Sequence, residues 1–484
     1  MRIEKDSLGE LPVPDHAYYG IQTVRCSANY DITQHTYNEY PEVIRAMAEI
    51  KKACARTNAQ IGALDSQKAQ AIENACDEII AGGFPGQFPV RIYRSQGTGV
   101  NMNVNEVIAN RANEILTGHK GYDAVHPNTH VNMCQSSNDV FPTCEAIVFY
   151  RLISCLNESF RSFEKILNEK ALEFKDAVRL GRTGLQDAVP NTWGQIFGGW
   201  HSMIRRNRLE LLEYRSVFQE VVLGGTAIGT GMGQQPRYAE HIYENLSAVV
   251  GFPIRKMYCP DEVIPDSGVF DGMRNTDHQM KLSAHIKALA TALGRIGCDL
   301  MLMSSGPEAG LNEITLPKTD IGTLGYPGEV TPSVARLMME IAHTSIGTEQ
   351  MTTFAADEEQ LDHGSVNSGG FIALVDMMEL LSDGCVLFGE KCIRGIRVNR
   401  EICRKNAELS GSLSTMVSAL FGYPTGVAIA KQALKEGISC KEAAEKDKLL
   451  PPDAIEELFD IQKLTDRAST VAMFEKYGKF RKIS

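Results

Sequence analysis

The sequence predicts a mostly α protein built around a long central helix bundle, and three observations carry that expectation. In "RLISCLNESFRSFEKILNEK" (151–170), Leu152, Leu156, Phe160, Phe163 and Leu167 fall at steps of four, four, three and four, which is one apolar helix face. The stretches "SAHIKALATALGRIGCDLMLM" (283–303) and "SVARLMMEIAHTSIGTEQMTT" (333–353) carry apolar residues on more than one side, as helices inside a bundle do. No strand–helix alternation appears, and no G-x-G-x-x-G follows a strand, so a nucleotide-binding sheet is disfavoured.

The 484 residues suffice for several domains or one large helical assembly. Residues 1–140 read as an N-terminal domain with binding loops, 141–395 as the central bundle and 396–484 as a small C-terminal helical domain. In the last, "SCKEAAEKDKLLPPDAIEELFD" (439–460) reads as short helices around a turn at Pro451 and Pro452. Lys and Arg number 49 against 60 Asp and Glu, a net charge of −11, which argues against general binding to nucleic acid or anionic membrane and for a small-molecule partner. No apolar run reaches the roughly 18 to 20 residues that span a bilayer, and "MRIEKDSLGE" lacks an apolar signal core, so a cytoplasmic protein is expected. Twelve cysteines without a C-x-x-C pair suggest reduced thiols, with neither a zinc site nor a disulfide framework, and no cofactor is expected.

Pro, Gly and Asn gather in polar islands between helical segments, the places where site loops are expected. "GTGVNMNVNEVIANRA" (97–112) offers Thr98 and Asn101 just before a helix, a grouping that suits a carboxylate. "HVNMCQSSNDV" (130–140) adds Ser136, Ser137 and Asn138, and "GRTGLQDAVPNTWGQ" (181–195) adds Thr183 and Gln186. Singly, each reads as a helix cap or a turn; together they read as a site. Trp193 and Trp200, seven apart, fit core packing on one helix face.

Three stretches, "HVNMCQSSNDV", "GRTGLQDAVP" and "SSGPEAGLNEITLP", resemble the aspartase and fumarase superfamily of lyases, with aspartases the nearest branch. The resemblance runs from "RIEKDSLGELPVPDHAYYGIQT" to "EKCIRGIRVNREIC" (390–403) and "LFDIQKLTD" (458–466). It implies a three-domain fold, a homotetramer with a twenty-helix core, and active sites shared between three subunits. It also implies anti elimination: a base removes a proton from the carbon next to an acidifying carboxylate, hydrogen bonds hold the aci-carboxylate intermediate, and an amine or water leaves the adjacent carbon. The substrate-carboxylate positions of the family fall on Thr98, Asn101, Ser136, Ser137, Asn138 and Thr183.

The family's loop motif G-S-S-x-M-P-x-K-x-N-P falls on "GTLGYPGEVTP" (322–332), and there the sequence departs from it. The base Ser becomes Thr323, the second Ser Leu324, the Met Tyr326, the Lys Glu329 and the Asn Thr331. The family's active-site His, expected after "GRT", is Gly184. Lys to Glu reverses a charge, and one unit pair at 4 Å interacts by about 4 kcal/mol at an effective dielectric of 20. A second carboxylate on the substrate is therefore opposed. Glu329 is expected to face a cationic or N–H-bearing part of the substrate, or to act as an acid or base; Thr323 and Tyr326 are the other candidate bases. The space left at Gly184 suits a bulky amine, and Trp193 and Tyr326 are candidate aromatic faces for a quaternary ammonium. Ergothioneine carries both a trimethylammonium group and an azole ring, so elimination of trimethylamine to give thiourocanate is the favoured expectation. Aspartate deamination and a non-catalytic structural relative are the alternatives.

Overall fold

A computed structural model describes residues 1–93, 97–319, 330–357, 361–364, 368–448 and 450–478. Most of them are helical, and the strands form two-stranded pairs only, so the expected mostly α class and the absence of a nucleotide-binding sheet both hold among the described residues. The long helices run Ser137–Glu173, Trp193–Tyr214, Asp277–Met303, Ser333–Asp357 and Ser368–Lys391. All five residues of the predicted 151–170 face, Leu152, Leu156, Phe160, Phe163 and Leu167, are buried. No helix of the described residues is long and apolar enough to cross a membrane.

The chain divides into two compact units, each assembled from three separated stretches. The first comprises Met1–Asn157, Leu209–Ala288 and His343–Leu381, the second Glu158–Arg208, Leu289–Ala342 and Ser382–Ser484. Aromatic rings fill the core of the first, where Phe371 meets Phe141 and Phe149 edge-on at 5.6 and 5.4 Å between ring centroids. Small residues set the spacing in the second. A Cβ on Gly294 of the helix Asp277–Met303 would lie 2.7 Å from the Ala342 Cβ of the helix Ser333–Asp357, so glycine there lets the two backbones close up. The predicted short C-terminal helices are Cys440–Asp447 and Pro452–Leu458; Ser439 and Glu442 cap the first reciprocally, and Pro452 opens the second.

Two pieces of local structure position the candidate residues. In the first unit, the helices Thr98–Thr117 and Ser137–Glu173 start beside one another. Gly97, with φ +70°, makes this possible, since a Cβ there would sit 2.9 Å from the Phe141 ring. In the second unit, the strands Val178–Thr183 and Gln186–Thr192 form an antiparallel hairpin in which Thr183 pairs with Gln186. Its two-residue turn is Gly184–Leu185, with φ +55° and +62°, the positive pair that a tight hairpin of this twist requires.

Candidate active site

Side chains in the first unit build a layered polar cluster. Lys51, on the helix Pro41–Gln60, is fully buried and donates to three side-chain carbonyls: Asn101 Oδ1 at 2.6 Å, Gln135 Oε1 at 2.8 Å and Asn132 Oδ1 at 3.0 Å. Three donors meet three acceptors, so the ammonium is satisfied without a carboxylate in contact. Burial pushes its pKa down to about 8. Because Lys51 takes the Asn101 oxygen, the Asn101 amide nitrogen must point the other way; it donates to Ser137 Oγ and Asn132 Oδ1, each at 3.2 Å.

The turn above is fixed from its other side. Ser136 N–H donates to Asp139 Oδ1 at 2.8 Å and Asn138 N–H to Ser136 Oγ at 3.2 Å, a cap on the helix Ser137–Glu173. The second oxygen of Asp139 accepts Gly224 N–H and Thr226 N–H at 2.9 Å each, which ties the glycine-rich 224–231 segment to the turn. Asp139 is buried, and desolvation pushes its pKa up to about 6 against the opposing pull of these N–H groups. Asn138 spends an amide hydrogen on the Ala227 carbonyl at 2.8 Å.

These bonds leave a specific capacity. The Ser136 and Ser137 hydroxyls each accept one bond within the described residues, so each keeps its own hydrogen to donate. Thr98 is exposed at the adjoining helix start. Hydroxyl donors at two helix N-termini, over a buried ammonium, form an environment suited to an anion. Asn101 is 1% exposed with both amide hydrogens engaged, so it acts through the orientation of Ser137.

In the second unit, Thr183 and Gly184 occupy the exposed hairpin tip and help line a cavity of about 610 Å³, shared with Arg179, Arg182, Arg295 and Asp299. The stem below is locked by Glu313, which is 0% exposed: Arg182 Nη2 donates to its Oε1 at 2.7 Å, Arg179 lies 3.7 Å from Oε2, and Asn406 donates to Oε1 at 3.4 Å. A Cβ on Gly184 would meet nothing within 4 Å. Thr331 is exposed, and its carbonyl accepts the Ser333 N–H at 2.8 Å where the helix Ser333–Asp357 begins.

Trp193 corrects one expectation. It offers no face to a ligand: it is 0% exposed, the Arg179 guanidinium lies 4.9 Å from its ring centre, and Nε1–H donates to Cys403 Sγ at 3.4 Å. Its π-face already holds a cation from its own chain, and core packing is its role. The three candidate catalytic residues Thr323, Tyr326 and Glu329 lie outside the described residues. Thr98, Asn101, Ser136, Ser137 and Asn138 belong to the first unit, and Thr183, Gly184, Trp193 and Thr331 to the second.

Sequence reasoning missed Lys51. The signal lay in "RAMAEIKKACAR", where Lys51 falls four residues after Met47 and three before Cys54, on the apolar stripe of its helix, a place where lysine is rarely put without a partner.

Comparison with known proteins gives this site a family. Residues 9–347 match the family model described as Lyase, and residues 413–466 match Fumarase C C-terminus. An aspartate ammonia-lyase of Bacillus sp is 35% identical, with 96% of this chain and 97% of the relative covered. An aspartate ammonia-lyase of Escherichia coli (strain K12) is 34% identical over 96% of each. Among solved structures, a fumarate lyase:delta crystallin from Brucella melitensis, bound to cobalt, superposes with a TM-score of 0.91 at 36% identity, covering 96% of this chain and 99% of that one. A class II fumarase from Schistosoma mansoni gives 0.89 at 30% identity, covering 96% and 99%. The chain therefore belongs to the aspartase/fumarase family, with its fold, and is a carbon–nitrogen lyase.

Proposed function

We propose that this lyase eliminates trimethylamine from ergothioneine, giving thiourocanate: an ergothionase. The observation that carries the reading is the rewritten 322–332 loop, in which Glu329 stands where the family places Lys. A carboxylate there opposes a second substrate carboxylate and favours an azole N–H. The open space at Gly184, where the family has His, supports a leaving group larger than ammonia. The Ser136, Ser137 and Thr98 hydroxyls serve the one carboxylate that ergothioneine has.

The elimination balances without an oxidant or a metal. A base takes the proton on the carbon beside the ring, that C–H electron pair becomes the C=C bond, and the C–N bond breaks with its pair leaving on neutral trimethylamine. The zwitterionic substrate gives the thiourocanate anion, the free amine and a proton on the base. Glu329 is the proposed base, with Thr323 and Tyr326 as loop partners. Thr183 and Thr331 belong to the proposed substrate-binding set. The proposal includes a cytoplasmic homotetramer of three-domain subunits whose sites draw on three chains, as the family resemblance implies.

Aspartate deamination is the second reading, favoured by the relatives named aspartate ammonia-lyase at 34–36% identity. Ultraviolet spectra over time with ergothioneine and, in parallel, with L-aspartate separate the two, with the released amine assayed in each. A new conjugated band accompanied by trimethylamine is the expected result. Fumarate and ammonia from aspartate alone would replace this reading with the second.

A further inference from the structure

We infer that His363 contacts the substrate at the Ser136–Asn138 turn, accepting a hydrogen bond from a substrate N–H through Nε2. The inference deepens the proposed function and rests on its azole-bearing substrate.

The argument begins with a proline. In a helix the carbonyl of residue i is bonded by the N–H of residue i+4, and for Asn138 that residue is Pro142, which has none. The Asn138 carbonyl, one residue into the helix Ser137–Glu173, therefore needs a donor from elsewhere. His363 supplies it: its ring is hydrogen-bonded to the Asn138 backbone in the sense that favours the protonated nitrogen, as a carbonyl acceptor does. The 361–364 segment is held in place by Gly364 N–H donating to the Met273 carbonyl at 2.9 Å.

The consequence falls on the other ring nitrogen. Nε2 is buried and has no hydrogen-bond partner among the described residues, so the bond to Asn138 runs through Nδ1–H. Burial holds the ring below the ordinary histidine range and so neutral at pH 7. With the proton fixed on Nδ1, Nε2 is an acceptor and nothing else. A buried acceptor without a donor is destabilising, and a ligand that brings a donor removes that cost. Asn138, which the ring bonds, follows directly on Ser136 and Ser137, whose hydroxyls keep hydrogens to donate. The turn thus presents donors for a carboxylate next to one acceptor. An acid carrying an N–H satisfies both, whereas a dicarboxylate would set a second anionic oxygen against a lone pair.

Urocanate, an azole acid with one carboxylate, and succinate, a dicarboxylate, are the probes, titrated by calorimetry into the full-length wild-type protein and the His363→Leu and His363→Asn variants. Asn keeps an amide donor at the Nδ1 position for Asn138 and has no atom at the Nε2 position. Both variants are expected to bind urocanate about tenfold or more weakly, with succinate affinity changed less than about twofold. Unchanged urocanate affinity, or an equal loss for both probes, would overturn the inference, the latter by reducing His363 to a support for Asn138. Should neither variant fold, the 15N resonance of His363 Nε2 in the wild-type protein decides. It moves toward a hydrogen-bonded acceptor on adding urocanate, and no movement overturns the inference. Failure to turn over ergothioneine alongside His363-dependent urocanate binding would sink the substrate reading and leave this contact standing.

Discussion

The Ser136–Asn138 turn and the Thr183–Gln186 hairpin tip both bear residues expected to bind substrate, yet they are built on opposite plans. Around the turn, nearly every polar atom is committed: Lys51 orients Asn101, Asn101 orients Ser137, and Asp139 holds Ser136 on one side and Gly224 and Thr226 on the other. The hairpin tip has no such lattice. Its side chains stand exposed, and the fixation lies below them in the Arg182–Glu313 pair. Preorganisation at the turn is a property of side chains, while at the tip it is a property of backbone register. Hydroxyl donors proposed for a substrate carboxylate need the first; a tip proposed to admit a larger leaving group is served by the second.

Breaking each plan at its root gives the largest effects. Glu313→Ala leaves the buried Arg179 and part-buried Arg182 guanidinium groups without their carboxylate and is expected to cost about 3–5 kcal/mol, read from urea unfolding. A loss below about 1 kcal/mol would mean that the stem does not depend on that ion pair.

Lys51→Met leaves Asn101 Oδ1 and Gln135 Oε1 without their lysine donor, while Asn132 Oδ1 keeps the Asn101 and Asn105 amides, and is expected to cost about 3 kcal/mol. Its pH signature sharpens the point. The folded-state pKa of Lys51, about 8, lies below the ordinary lysine value of 10.5, so the unfolded chain binds more protons between them. This group's contribution to stability is least favourable below pH 8 and improves as pH rises toward 10.5. Lys51→Met should remove that rise, and an unaltered pH–stability curve would place the charge elsewhere.

Gly97→Ala tests the neighbouring helix starts. The left-handed φ and the 2.9 Å approach to Phe141 together should cost about 1–3 kcal/mol and displace Thr98, seen as a higher KM. The smallest stability change is expected at the tip, where Thr183→Val should stay within about 0.5 kcal/mol of wild type while kcat/KM falls about tenfold or more. Equal losses in stability and activity there would erase the distinction between the two regions.

Much of this was legible beforehand. The steps between Leu152 and Leu167 gave the buried helix face, and Pro451 with Pro452 gave the break between two short helices, because periodicity and proline geometry are local codes. Ser136, Ser137 and Thr98 could be chosen from their position ahead of apolar helical runs. What stayed hidden was long-range pairing. Lys51 meets Asn101 across fifty residues and Gln135 across eighty-four, and no spacing rule connects them. Trp193 misled for the same reason, since the cation on its ring comes from Arg179, in the facing strand rather than in a ligand. His363 drew no notice because its partner is a backbone carbonyl vacated by Pro142, visible only once the chain is folded.

The Gly184–Leu185 reversal has a bearing on how such an enzyme changes its trade. Leu185 is 68% exposed and held at φ +62°, a conformation that asparagine or glycine accepts more readily. The tip is thus neither packed nor optimised, and its closure depends on strand pairing rather than on which side chains it bears. Natural drift or a saturation library can exchange the exposed residues Thr183 and Gln186 at little cost to the fold, while Gly184 and Leu185 favour residues that accept a positive φ, so new side chains can be sampled here one substitution at a time. Innovation in this lyase is cheapest at the place where its architecture has invested least.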